Sequence, residues 1–546
     1  MIPQKLKPGL FLIIMTLILL FLLFWNLGNQ YLWHDEAQTA LLSKSTLEHG
    51  YPKALMGDFL VVTDETYGPG HSYIAQPWLQ NYVCATAFLL FGDSNASARV
   101  IFAVFGLLSF YLIYALAYRL FGERLLAGFS VVIAATCVPF LLMLRQCRYY
   151  SLTVFLSLAL LIFYINFLER KKFSPVFFVT TSFFLFHANF GCLIPLLAAI
   201  FVSFVLLERK RGLFAQFLKM YVWIFILLLP WAIIYKIWSE SISTPSGLII
   251  HNAKFYLSKV NHYFLPYRFA AIVLIALFVF RWRSRTTRII KEFFGTKKGK
   301  SVIFLNMVFL VNWFFLWFAD ANSTRYIIHV APLLFIFAAF LIWRSMEWSK
   351  IFAGILLVML CFSNVLHNSF FYVAAKPFVP LIVKASAWAR DKSVISARSN
   401  EKIVKEMGRV SGKAVIKAHF LDYLYEITND YDGPMEGVVE YLKQNARPGD
   451  TIKTNLFSAN PLFYYTDLKV DTDFTKETYP EWIFLRDYWT DDGFYKTEYF
   501  KNIEKRYDKI ELLYPDIWWE NRPDDLSKHH FKTAPLEKKI SLYRRK

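Results

Sequence analysis

Apolar residues run in long blocks through the first two thirds of this 546-residue chain and then stop. Blocks near 9–27, 98–118, 125–143, 149–168, 173–189, 190–207, 213–236, 267–281, 301–319, 326–343 and 350–373 approach the roughly 20 residues that cross a bilayer as a helix. They predict about eleven spans. One apolar stretch does not fit as a span. Residues 78–91 follow Pro77 and are too few to cross, so they predict an amphipathic helix lying in the interface. From Lys376 onward charges are frequent and no long apolar run remains. There Gly437–Asn445 has helical patterning, Arg447-Pro-Gly-Asp450 reads as a turn, and Thr451–Asn455 and Trp482–Leu485 read as strands. The expected fold is a polytopic α-helical membrane protein, residues 1–375, whose first outer loop is 29–97, followed by an α/β domain, 376–546.

Charge placement orients this architecture. Lys and Arg number 60 against 41 Asp and Glu, a net +19. In a soluble chain that excess would suggest nucleic acid. Here it falls in short clusters between apolar blocks, and no nucleic-acid partner is expected. With the N-terminus in the cytoplasm, Arg119–Arg124, Glu169–Lys172, Glu208–Arg211, Arg281–Lys300 and Arg344–Lys350 all become cytoplasmic, as the positive-inside rule requires. Treating 78–91 as a span would break that agreement. The first block has no small-residue cleavage site after it, so it reads as an uncleaved span. The C-terminal domain then lies outside the cytoplasm. The absence of an obvious retrieval signal or cleaved leader leans toward a bacterial inner membrane. The five cysteines form no C-x-x-C or zinc spacing and read as buried thiols. Asn95-Ala-Ser97 and Asn322-Ser-Thr324 match the glycosylation pattern on the outer side.

Candidate chemistry gathers at the outer face. Trp33-His-Asp-Glu-Ala37 follows the first span, and two adjacent acids at a membrane surface are costly unless solvated or used. The plain alternative is a helix start favoured by the dipole. Arg145 and Arg148, His187 with Asn189, and Arg325-Tyr326 converge on the same level. Any single arginine there can simply snorkel, and a lone histidine near a span end is commonly structural. Together, however, arginine forks suit a phosphate, and carboxylates suit a base or a metal.

These residues carry a resemblance. Asp35-Glu36 after the first span, Gln76-Pro-Trp-Leu79, Phe91-Gly-Asp93, Ser97-Ala-Arg99, Tyr118-Arg-Leu-Phe-Gly122, Arg148-Tyr-Tyr-Ser-Leu152 and Arg325-Tyr326 with Pro332 resemble, in order and spacing, the GT-C glycosyltransferases. The nearest branch holds the protein O-mannosyltransferases and lipid A aminoarabinose transferases. Gln76 departs from the lysine usual in that family, and Trp78 from its second proline. The resemblance implies an inverting hexosyl- or pentosyltransferase that moves a sugar from a polyprenyl-phosphate donor to a hydroxyl of a lipid, glycan or protein at the outer face. It implies Asp35 as general base, with Glu36 orienting the acceptor or binding a cation. It implies Arg145, Arg148 and Arg325 on the donor phosphate, and His34, Tyr149, His187 and Tyr326 around the substrate. No metal ligand set and no cofactor is assigned, although a divalent cation stays open. The competing class is a polytopic lipid or solute transporter, which would call for repeated halves and broken spans.

Overall fold

The computed structural model describes residues 8–61, 67–169, 174–208, 211–237, 246–267, 270, 273, 295–319, 322–367, 376–391, 397–413, 416–486, 490, 494–518, 520–523, 526 and 529–546. Most of the block at 267–281 and of the basic run after it lies outside these residues. The chain opens with α1 (Pro8–Phe24) and α2 (His34–His49), then a small hairpin of β1 (Leu55–Met56) and β2 (Phe59–Leu60). Next come α3 (Leu79–Phe91), α4 (Asn95–Phe121), α5 (Arg124–Thr136), α6 (Val138–Arg145), α7 (Tyr150–Leu168), α8 (Pro175–Ser203) and α9 (Arg211–Ile234).

Among the described residues six helices are long and apolar enough to cross a membrane, or seven if the bent pair α5–α6 is one span. The eleven blocks are divided differently: 173–189 and 190–207 form the single helix α8, and most of 267–281 lies outside the described residues. Helices Leu10–Phe24 and Lys350–Phe362 are apolar but shorter than a full crossing. The block at 125–143 breaks at Cys137, where α6 leaves α5 at 73°. Pro139, at the start of α6, has no N–H to continue the α5 ladder. Arg145 ends the deflected helix.

Helix α8 doubles back. A straight helix of its 29 residues would be about 43 Å long. Yet Phe177 at its start packs on Phe163 (5.8 Å between ring centroids), while Ser203 at its end accepts from Tyr164 Oη at 3.2 Å. Both ends therefore meet the same end of α7. The turn is at Asn189, whose φ/ψ of −166°/110° is not helical. Helix α3, too short to span, leaves Leu89, Leu90 and Phe91 exposed beside α2 and α4.

Helix α2 positions the site and is buried from Glu36 to Ser43 and at Ser45 and Thr46, although it carries many polar residues. Its hydroxyls make that possible: Ser43 Oγ and Thr46 Oγ1 donate back to the carbonyls of Thr39 and Leu42 at 2.6 and 2.7 Å. It ends on Gly50 at φ 78°, a left-handed position that glycine adopts without a Cβ clash.

The C-terminal layer is a five-stranded mixed sheet in the order β4-β3-β5-β7-β6. β3 (Thr451–Thr454) pairs in parallel with β4 (Lys469–Asp471) and β5 (Trp482–Leu485). β7 (Lys539–Arg545) runs antiparallel to β5 and to β6 (Tyr507–Pro515). The Arg447–Asp450 turn forms around Gly449 at φ 86°. Helix Pro434–Asn445 covers the sheet with Val438 and Val439 against Ile452, Trp482 and Leu542. By contrast, Tyr423, Ile427 and Leu526 belong to the core of the membrane bundle.

The sheet layer is fastened to the segment between α1 and α4. Helix Leu456–Tyr465 packs along α2. Tyr465 Oη accepts from Leu32 N at 2.7 Å and donates to Asn95 Oδ1 at 2.5 Å. Tyr464 Oη and Lys44 both hold Asp93. Asn95 Nδ2 also donates to Gly28 O at 3.3 Å, so the amide of the first glycosylation pattern is already bonded within the fold.

Candidate active site

Asp35 and Glu36 are neighbours in sequence but face different surroundings. On a helix, successive side chains diverge by about 100°. Asp35 points to a pair of arginines. Arg325 Nη1 lies 2.7 Å and Arg148 Nη2 3.6 Å from the same oxygen, Asp35 Oδ2. The Asp35 side chain is 16% exposed. Burial alone would raise its pKa, but Arg148, Arg325, His34 and the nearby Arg522 outweigh that and hold it at about 2.

The two arginines are held differently. Arg148 is buried and anchored on many sides. Its Nη1 donates to Asp35 O (3.1 Å), Gln38 Oε1 (3.2 Å) and Thr39 Oγ1 (3.0 Å), and its Nη2 to Gln76 Oε1 (3.3 Å). Gln76 therefore sits inside the cluster as an acceptor; it also takes a bond from Gln80 Nε2 at 3.1 Å. Arg325 is bonded to Asp35 and, at 3.5 Å, to Tyr326 Oη, and is 26% exposed. The Nε–H groups of both arginines are buried without a partner. Tyr149 and Tyr326 flank them, each ring within 6 Å of a guanidinium. His34 packs its ring edge on Phe457 of the sheet layer, 5.5 Å between centroids, and burial lowers its pKa while the Asp35 carboxylate beside it pulls the other way.

Glu36 is enclosed. Arg99 grips it with both arms, Nε–Oε1 at 2.8 Å and Nη2–Oε2 at 2.6 Å, and the two side chains are 4% and 0% exposed. Cys147 N (3.1 Å) and Asn521 Nδ2 (3.2 Å) complete four hydrogen bonds to the carboxylate. That fills an ionised carboxylate's usual acceptor capacity. Arg99 is equally occupied, donating from Nη1 to the carbonyls of Leu27 (3.0 Å) and Gln30 (2.9 Å). In this geometry the Glu36 carboxylate is fully occupied by donors from Arg99, Cys147 and Asn521.

Two other residues stand apart from Asp35. Arg145, at the end of the deflected α6, donates to Tyr423 Oη (3.1 Å) and Trp25 O (2.7 Å). His187, at the tip of the α8 hairpin, sits among Phe183, Trp231 and Tyr235, with Nδ1 3.3 Å from Tyr235 Oη. Sequence reading gave no site role to Arg99, which it quoted only within Ser97-Ala-Arg99, nor to Gln38, Thr39 and Asn521. Arg99 had a signal, a lone charge near the start of an otherwise apolar helix beside the acidic pair. Asn521, at 485 positions from Glu36, had none. Among the described residues no three His, Cys, Asp or Glu side chains come together as a metal set.

The site is an Asp-Arg-Arg cluster at one end of a helical bundle that is capped by a mixed sheet. The resemblance read from the sequence stands on fold and on a matching segment. A family model described as dolichyl-phosphate-mannose-protein mannosyltransferase matches residues 75–235. ArnT of Cupriavidus metallidurans in the apo state superposes with a TM-score of 0.54 at 15% identity, covering 97% of both chains. The same protein bound to undecaprenyl phosphate gives 0.46 at 15% identity, over 84% of this chain and 75% of that one. The Archaeoglobus fulgidus oligosaccharyltransferase in the apo form gives 0.45 at 13% identity, over 86% and 64%. No curated protein sequence matches the chain. Segment and fold together indicate an integral membrane glycosyltransferase; the transporter alternative is not favoured.

Proposed function

We propose that the chain transfers a sugar from a polyprenyl-phosphate donor to an acceptor hydroxyl, with inversion at the anomeric carbon, at the membrane face that carries α2. In a bacterium this is the periplasmic face of the inner membrane, with the N-terminus in the cytoplasm. The observation that carries the reading is the bridge from Asp35 Oδ2 to Arg148 and Arg325. The matched mannosyltransferase segment supports the donor class.

In this reading Asp35 is a base held in reserve. Paired with two cations it binds protons poorly. A donor phosphate competes for the same guanidinium groups and finds two unpartnered Nε–H donors already buried beside it. Arg148, fixed by Gln38, Thr39 and Gln76, defines where the phosphate sits. Arg325 has fewer anchors and swings toward the phosphate. Asp35 loses part of its neutralising charge and becomes a better acceptor for the hydroxyl proton as that oxygen attacks C1. The sugar–phosphate bond breaks, and the arginines take up the charge left on the leaving phosphate. Glu36 and Arg99 act as structure: their ion pair pins the first turn of α2 to α4 and so aims Asp35. Arg145 and His187 hold neighbouring elements in place. Tyr149 and Tyr326 wall the cluster.

The test uses membranes containing wild type or Asp35→Asn at matched expression, given a panel of radiolabelled polyprenyl-phosphate sugars. Turnover of one donor by wild type, lost in the variant, supports the class and names the sugar; the labelled product names the acceptor. Equal turnover by both removes Asp35 as the base.

A further inference from the structure

After the apolar helix Lys350–Phe362 the chain leaves the bundle and returns to the same point. Asn364 N donates to Lys417 O at 3.0 Å, and Lys417 N donates to Asn364 Oδ1 at 2.9 Å. The described residues 376–391 and 397–413 thus belong to an excursion closed at its neck, where His367 also exchanges hydrogen bonds with Asn261. Its helices Val379–Asp391 and Ala397–Lys413 pack on each other. Along the first, Phe378, Leu381, Ile382 and Trp388 recur at helical spacing yet are 58%, 63%, 40% and 63% exposed. In a hairpin surrounded by water these positions would be covered. The same stretch is strongly basic: residues 376–417 contain ten Lys and Arg against three Asp and Glu.

The neck lies at the Asp35 end of the bundle. The next helix, His419–Thr428, starts just past it, and Tyr423 Oη of that helix donates to Leu22 O at the end of α1 (2.5 Å) and accepts from Arg145. The excursion therefore starts at the end of one apolar helix and rejoins the chain beside the end of another, the level at which headgroups meet the protein.

We infer that this hairpin is an arm that lies on an anionic lipid surface. The Phe378–Trp388 stripe enters the boundary between headgroups and acyl chains, and the lysines and arginines take the lipid phosphates. An aromatic–aliphatic stripe with a cationic remainder is the pattern of a helix lying in an interface. A second copy of the arm is a poor occupant, since two surfaces with this excess of positive charge repel. The inference is independent of the transferase reading.

The five native cysteines are buried, so an introduced one can be labelled selectively. Full-length Trp388→Cys, with Leu381→Cys as a second site and Glu401→Cys as a polar-side control, would carry an environment-sensitive fluorophore. Each would be placed in nanodiscs of phosphatidylcholine, with or without phosphatidylglycerol, and with or without doxyl-labelled lipid. The expected result is loss of fluorescence to doxyl lipid at 388 and 381 but not at 401. The loss should be greater with phosphatidylglycerol and reduced by the combined exposed substitutions Lys384→Glu, Lys402→Glu and Lys405→Glu. No quenching at 388 and 381 in any disc overturns the proposal. Quenching indifferent to phosphatidylglycerol and to charge reversal overturns the anionic-headgroup part. An unchanged thermal transition of the labelled variants shows that the fold was kept.

Discussion

Glu36→Gln separates structure from chemistry at the acidic pair. The substitution keeps the shape of the side chain and removes its charge. Arg99, 4% exposed, then stays ionised in the core without its counter-ion. Removing one partner of a buried pair costs about 3–5 kcal/mol, because a buried charge is left uncompensated. The neutral amide would still accept from some of the four donors, which places the loss toward about 3 kcal/mol. Measured on purified protein in nanodiscs, the variant should unfold at a clearly lower temperature, and the folded fraction should retain donor turnover within about tenfold of wild type. Glu36→Met combined with Arg99→Leu should recover part of the stability, since the buried charge is gone. The remainder reflects the carbonyls of Leu27, Gln30 and Tyr31, which lose their donor. An unchanged thermal transition with turnover down by more than about a hundredfold would refute this reasoning and return Glu36 to the chemistry.

Other expectations follow from the same geometry. Arg148→Lys should lower donor turnover by at least about a hundredfold, since one ammonium cannot replace a fork bonded to Gln38, Thr39 and Gln76; full activity in a radiolabel assay would contradict this. Asp35, at about pKa 2, is ionised at every working pH, so kcat/KM, which reports free enzyme, should show no acid limb from it above about pH 4. Its depressed pKa contributes stability above the unfolded value near 3.8 that is lost as pH falls through about 2. Glu436, pushed up to about 7 by burial and by Glu440, Asp432 and Glu520, works in the opposite sense. Its raised pKa favours the folded state at low pH, and that contribution is lost as pH rises through 7, so Glu436→Gln should raise thermal stability at pH 8 and hardly at pH 5. A Cβ at Gly437 would overlap the Tyr514 ring, so Gly437→Ala should cost about 1–3 kcal/mol in denaturant unfolding.

The sequence made Asp35, Arg148 and Arg325 legible because charge at the mouth of apolar helices is costly and stands out. It could not divide Asp35 from Glu36, since that depends on which side of one helical turn meets Arg99. Arg145 looked equivalent to Arg148 three positions on; the break at Cys137 and the bond to Tyr423 send it elsewhere. In the tail, the Arg447–Asp450 turn and the strands at 451 and 482 were readable from local pattern. β6, β7 and the mixed order of the sheet were not, because strand order rests on pairings between residues distant in sequence.

The carboxylate of Glu36 is made within the first tenth of the chain, but its last hydrogen-bond donor, Asn521, arrives 485 residues later. Helix α2 thus waits through the synthesis of 485 further residues with part of its binding capacity unfilled. Tyr464, Tyr465 and Phe457 reach it late as well. Long-range contacts of this kind form slowly and only after the intervening chain is in place. A ribosome that stops short of residue 521 would leave a membrane bundle whose acidic turn is incompletely clamped, a natural substrate for quality-control proteases.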